Sequence, residues 1–224
     1  MNSQRIFSFA FKVITTVICL TGIIANIIDA TSLISTFSFY TMQSNLFVLC
    51  FYIGYSIIGI FNPNIEKTKT YYKLKGAVIM AILLTFVVYN ISLQPLDFLM
   101  DVRTSSSNIL DFTNIFVHFL TPILVFLDYL IFDEKGNFKN SYISYWCILP
   151  ALYPIYVYIY ASLGGRFFGI GGSSKYAHYF LDFEKIGING VFGYLLFITV
   201  CFIIVSLLLV KLDSFLKKRK KHCK

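Results

Sequence analysis

The sequence predicts an all-α, polytopic membrane protein: a bundle of six transmembrane helices with both termini in the cytoplasm. Three observations carry this expectation. Apolar runs long enough to cross the roughly 30 Å hydrocarbon core as helices recur along the whole chain. The residues are 57% hydrophobic and only 13% charged, which leaves no stretch polar enough for a separate soluble domain. Lys and Arg are spread unevenly over the connecting segments, fifteen on one side of the expected membrane and four on the other; the cytoplasmic side is the one that retains basic residues.

The runs lie near 9–28, 38–61, 76–93, 110–132, 143–162 and 187–211, giving one transmembrane domain over 1–211 and a basic cytoplasmic tail over 212–224. The first run follows the short basic start "MNSQR", is too long for a signal-peptide core, and is read as a retained span. The second, "FSFYTMQSNLFVLCFYIGYSIIGI", opens on a polar cluster. The fourth contains "HFLTPILVFLDYLIFD", where Pro122 removes a backbone donor and frees carbonyls that polar neighbours must satisfy, so a kink is expected just below His118. Before the last run a glycine-rich connection, 163–186, reads as a flap over the membrane surface, with Phe167, Phe168, Tyr176, Tyr179 and Phe180 dipping into the interface. Gly187, Gly190 and Gly193 then recur every three residues, a spacing that permits close helix packing.

The net charge of +8 follows from this topology and does not indicate nucleic-acid binding. The tail "KKRKKHCK" serves as a stop-transfer block and would also attract anionic headgroups. Cys19, Cys50, Cys147 and Cys201 fall inside spans and Cys223 in the tail, a pattern with neither disulfide framework nor metal-ligand spacing. The glycines of the flap lack the GK[ST] of a phosphate loop. Richness in Ile, Phe, Tyr, Asn and Lys points to an AT-rich genome and a bacterial plasma membrane.

At 1.5 Å per residue, polar side chains can be assigned a depth. The second span brings Thr41, Gln43, Ser44 and Asn45 into the outer half of the membrane, the fourth brings Asp111, Asn114, His118 and Thr121, and the third ends on Asn90 at the same level. Thr41, Ser44 and Asn45 share one helical face, and Asp111, Asn114 and His118 another. A histidine in hydrocarbon faces a bundle interior or a wet cavity, although it also serves as interhelical glue. Asp128 lies about 15 Å below His118 and reads as an interfacial charge paired with a basic residue of a neighbouring loop.

A hydroxyl becomes a nucleophile when an adjacent base takes its proton. Thr41 with His118 is the obvious pair, Ser44 is a rival nucleophile one turn away, and the amides of Asn45, Asn90 or Asn114 are candidate oxyanion donors. A substrate at this depth is a lipid, hence an acyl ester. His178 and Asp182, four residues apart in the flap, are candidates for one helical face, as a metal pair or as a base with its orienter. A hydrolytic zinc needs three protein ligands; only His118 and His178 are on the outer side, and neither a metal nor any cofactor is expected.

"FYTMQSNLFVL", "VHFLTPILVFLDYLIF" and "YFLDFEKIGINGVFGY" together resemble a bacterial family of six-span membrane proteins of the Pr6Pr type, over nearly the whole chain. That family is similar, more distantly, to the androgen-induced and androgen-dependent TFPI-regulating proteins, threonine hydrolases of fatty acid esters of hydroxy fatty acids. The resemblance implies a threonine nucleophile near the start of the second span, Thr41, and an essential histidine preceding a proline on the fourth, His118. Two departures stand out: "QSN" after Thr41 follows the bacterial pattern, and "KYAHYFLD" stands where a proline-rich approach to "FLD" is usual. A non-enzymatic lipid or small-molecule binder or transporter would use the same polar layer, and a structural or regulatory subunit would need it only for packing.

Overall fold

Ile, Phe and Tyr favour strands in water, yet in hydrocarbon every backbone group must be paired within its own segment, and these runs become helices. The computed structural model describes residues 3–93, 112–169 and 172–222. Helix α1 spans Ser3–Ile28. The short α2, Leu33–Ser38, is capped by the Ser32 hydroxyl, and extended backbone at Phe39 separates it from α3, Tyr40–Phe61. Next come α4 over Lys69–Asn90, α5 over Thr113–Phe132 and α6 over Asn140–Ser162. A hairpin of β1, Phe167–Gly169, and β2, Gly172–Ser174, leads into α7, Phe183–His222. Among the described residues, six of these helices are long and apolar enough to cross a membrane. The chain is a multi-pass membrane protein.

An even number of spans puts both termini on one face, here called inner after the basic loops it carries. The boundaries differ from the hydropathy runs where capping overrides hydropathy. Helix α4 starts at Lys69, because the Thr68 hydroxyl accepts the Tyr71 N–H at 3.2 Å; Lys73 and Lys75, expected in a loop, therefore lie on a helix. Helix α7 runs on through the basic segment to His222. Position Asp111 lies outside the described residues.

Helix α4 is buried on successive positions, Val78 to Ile82, so it occupies the middle of the bundle rather than presenting one face. Around its inner half, which includes Tyr71, pack Val48, Phe51, Tyr52, Val125, Tyr129 and Trp146. A second cluster in the outer half contains Tyr40, Tyr153, Val157, Phe167, Tyr176, Phe180 and Leu181. Three flap aromatics, Phe167, Tyr176 and Phe180, expected to dip into the membrane interface, are instead buried in the protein interior, whereas Phe168 is 40% exposed. Ile14 and Val17 on α1, Ile57 and Ile60 on α3, and Leu196, Phe197 and Ile204 on α7 stay exposed, the apolar surface that lipid covers.

The glycine expectation fails. Among the described residues, a Cβ at Gly187 or Gly193 would meet nothing within 4 Å, and the three atoms nearest one at Gly190 all belong to Ile186 of its own helix. Gly187 instead marks a break at φ 70°, a left-handed conformation that glycine adopts without a Cβ penalty. Close approach occurs elsewhere, at Gly22 of α1 against Phe116 and Val117 of α5, and at Gly76 of α4 against Trp146 of α6.

Candidate functional site

The break at Phe39 makes Tyr40 and Thr41 the first residues of α3. The first N–H groups of a helix have no acceptor within it, and this end carries the positive pole of the helix dipole. Thr41 is half-buried. One turn further, Ser44 and Asn45 are fully buried. The Ser44 hydroxyl bonds the Thr41 carbonyl at 3.0 Å and the Thr85 hydroxyl of α4 at 2.7 Å. Asn45 donates its amide to the Thr41 carbonyl at 2.8 Å and to the Val117 carbonyl of α5 at 3.2 Å. These contacts commit the rival nucleophile and the first candidate oxyanion donor to helix packing.

The irregular turn in α5 has a definite cause. Residues Phe116–Leu120 form a π-helical turn in which the Thr121 N–H donates to the Phe116 carbonyl. In that register the next carbonyl, Val117, would receive from residue 122, which is proline and has no N–H. Asn45 supplies the missing donor. His118 sits inside this turn, 7% exposed, with Nδ1 free of hydrogen bonds among the described residues. Its ring stacks on Tyr89 at 3.7 Å and 12°. Tyr89 lies in a second π-helical turn, Val88–Leu93 at the outer end of α4. Such turns recur at functional sites. Asn90 in the same turn gives its amide to the Phe86 carbonyl at 2.7 Å, and Asn114 stands in the first turn of α5.

The flap is tied down from two sides. The Phe168 N–H donates to the Ser35 hydroxyl of α2 at 2.8 Å, and the Tyr158 hydroxyl of α6 to the Leu181 carbonyl at 2.9 Å. His178 stacks on Phe180 at 5.1 Å and packs near Phe39; burial among these rings pushes its pKa down to about 4, so the imidazole is neutral at neutral pH. His178 and Asp182 do not share a helical face. They flank the 3-10 turn Tyr179–Leu181, and Asp182 turns away to cap α7, accepting the N–H groups of Glu184 and Lys185 at 3.1 and 3.2 Å. A paired role for the two is thereby corrected.

Thr41, His118 and His178 meet at one cavity of about 70 Å³ in the outer half of the bundle, closed by Tyr40, Thr85, Tyr89, Tyr153 and Leu181 and bordered by Pro150, Pro154, Leu195 and Ile198 of α6 and α7. Neither Ser44, Asn45, Asn90, Asn114 nor Asp182 lines it. Thr85 and Tyr89 were not anticipated. Each is a single polar side chain in the apolar α4, without a periodic polar face to reveal which way it points. Asp128 has the basic partner expected of it: fully buried, it forms an ion pair with Lys75, which lies on α4 and not in the neighbouring loop.

The fold and this cavity define a class, a six-span helical membrane protein with a threonine and two histidines around one small outer cavity. Comparison of the chain with protein-family models, with curated proteins and with solved structures returned no match.

Proposed function

We propose that the outer cavity is the active site of an intramembrane hydrolase of lipid acyl esters, such as fatty acid esters of hydroxy fatty acids, in a bacterial plasma membrane. What supports this reading is that Thr41 and His118, a hydroxyl and an imidazole from helices 77 residues apart in sequence at these positions, border the same cavity. In the proposed reaction the Thr41 hydroxyl attacks the ester carbonyl carbon while His118 takes its proton and passes it to the departing alkoxide. The acyl-threonine is then cleaved by water, which His118 deprotonates; the proton passes on to the departing Thr41 oxygen, and the fatty acid is released. Because the Asn45 amide is committed to carbonyls, the oxyanion donors in this scheme are the first N–H groups of α3, at the positive end of its dipole. Leu195, Ile198 and Pro150 supply apolar wall for an acyl chain.

The test is labelling of reconstituted protein with a fluorophosphonate probe, followed by mass-spectrometric identification of the modified residue. Label on Thr41 that disappears in Thr41→Ala and His118→Ala supports the reading; folded protein that neither labels nor releases fatty acid from any lipid ester overturns it. One observation favours a second reading, a non-enzymatic lipid or small-molecule binder: the cavity lining is overwhelmingly apolar and the asparagine donors near it are occupied. Ligand binding unaltered by Thr41→Ala and His118→Ala would select it.

A further inference from the structure

Toward the inner face, Lys75, Asp128 and Asp133 are packed together, the first two fully buried and Asp133 8% exposed. The Lys75 ammonium pairs with Asp128 Oδ2 and lies 3.7 Å from Asp133 Oδ2. Tyr52 of α3 accepts from Lys75 at 2.9 Å and donates to Asp128 Oδ2 at 2.9 Å; Tyr71 of α4 donates to Asp133 Oδ1 at 2.7 Å. Asp128 Oδ1 and Asp133 Oδ2 receive no hydrogen bond among the described residues.

One ammonium here faces two carboxylates, so with both ionised the cluster holds an excess negative charge away from water, which is costly. The surrounding charges have partners of their own. Lys12 of α1 pairs with Glu66 at 2.7 Å, and its charge also acts on Asp133. Lys135 donates to the backbone carbonyls of Tyr129 and Asp133, and Asp213 of α7 accepts from the Tyr129 hydroxyl and the Phe138 N–H. Asp133 also borders a cavity of about 920 Å³ at the inner end of the bundle, together with Arg5, Lys12, Glu66, Tyr72 and Glu134.

We infer that Asp133, beside the Lys75–Asp128 pair, is a binding site for one proton delivered through the inner cavity. A metal cation would need several oxygen ligands and space between them, whereas the two unbonded carboxylate oxygens are themselves sealed from solvent. A proton needs no space. It settles on Asp133 rather than Asp128 because Lys75 is in contact with Asp128 and only Asp133 borders the cavity. Burial raises the Asp133 pKa to about 6 against the opposing pull of Lys75, with the neighbouring Asp128 adding to the rise and Lys12 and the Tyr71 hydrogen bond opposing it. Uptake converts the cluster from one excess negative charge to neutrality, and release returns the proton to the inner cavity. This inference is independent of the chemistry of the outer cavity.

Infrared difference spectroscopy of protein in closed vesicles, recorded as pH is lowered, tests it. The expected result is a protonated-carboxyl band with a midpoint near 6 that responds to pH on the face carrying the termini. It should be lost in Asp133→Asn, kept in Asp213→Asn, and unmoved when sodium replaces potassium. Tyr71→Phe, which removes a hydrogen bond to the carboxylate, should shift the midpoint upward, and it serves as the probe if Asp133→Asn does not fold. A band absent from the native protein, unchanged in Asp133→Asn or in Tyr71→Phe, or responding to the opposite compartment or to sodium overturns the proposal.

Discussion

Asn45 on α3 donates its side-chain amide to the Val117 carbonyl on α5 at 3.2 Å, the carbonyl that Pro122 leaves without a backbone donor. The proline and the asparagine, 77 positions apart, thus form one structural device: the first opens a gap in the helix ladder beside His118, and the second closes it from another helix. Asn45→Leu should destabilise the protein by roughly 0.6 to 2 kcal/mol. In Asn45→Leu/Pro122→Ala, which restores an N–H, the loss should be smaller than the sum of the two single losses. Thermal unfolding of all four proteins in one detergent measures the coupling, and strict additivity would refute it.

For the outer cavity, position separates the two hydroxyls of α3. Thr41 borders the cavity, while Ser44 is bonded to Thr85. If Thr41 is the nucleophile, Thr41→Ala abolishes ester cleavage and Thr41→Ser retains much of it, whereas Ser44→Ala keeps cleavage and loses stability. His118→Gln, which preserves hydrogen bonding but not basicity, should lower kcat by about 10²- to 10⁴-fold. Fatty acid release from a synthetic lipid ester reads all four variants.

Acid should loosen the flap. A histidine outside a protein titrates near 6.5, and His178 in its aromatic surroundings only near 4. The closed flap therefore excludes a proton that the open flap accepts. Its stability is complete above about 6.5, falls as pH drops toward 4, and changes little below that. Hydrogen exchange in residues 172–182 should quicken across this window, and His178→Phe should flatten the response.

How far these arrangements were legible in the sequence depended on which physical signal each left. Hydropathy located all six spans, and Pro122 announced a disturbed backbone ladder at His118, which took the form of a π-helical turn. Depth along the helices placed Thr41 and His118 in one leaflet. Rotation about the axis is a different quantity, and hydropathy carries it only where one face is polar. Helix α4 is buried on consecutive positions, so nothing in its pattern showed that Thr85 and Tyr89 face the cavity or that Lys75 turns inward to Asp128. Counting Lys75 as a loop residue followed from the same blindness. The glycines before the last span had the right spacing for packing, but spacing does not say whether a neighbour is present.

The inner cluster predicts an unequal response from two lysines. Lys75→Met leaves two buried carboxylates facing each other without a cation, a loss on the order of 3 to 5 kcal/mol. Asp128→Asn in the same chain should recover part of it. Lys12→Met removes a pair whose Lys12 side chain is 5% and Glu66 side chain 36% exposed; the carboxylate left behind can turn to water, so the loss should be smaller than that of Lys75→Met. Unfolding midpoints of the three variants compare these directly.

Glycine substitutions offer the sharpest check on the packing of α1. A Cβ at Gly22 would lie 2.7 Å from Phe116 Cβ and 2.9 Å from a Val117 methyl carbon, closer than atoms can pack, so α1 must move away from the π-helical turn that holds His118. Gly22→Ala should therefore cost about 1 to 3 kcal/mol and weaken whatever the outer cavity binds, because Val117 and His118 lie in that turn and Asn45 bonds to it. Gly193→Ala meets no neighbour and lies in a helix, where alanine is preferred by about 1 kcal/mol; it should be neutral or stabilising. Gly187→Ala, at φ 70°, should lose about 1 to 2 kcal/mol from backbone strain alone. If Gly193→Ala proved as damaging as Gly22→Ala, the face of α7 assigned here to lipid would instead be packed against a partner.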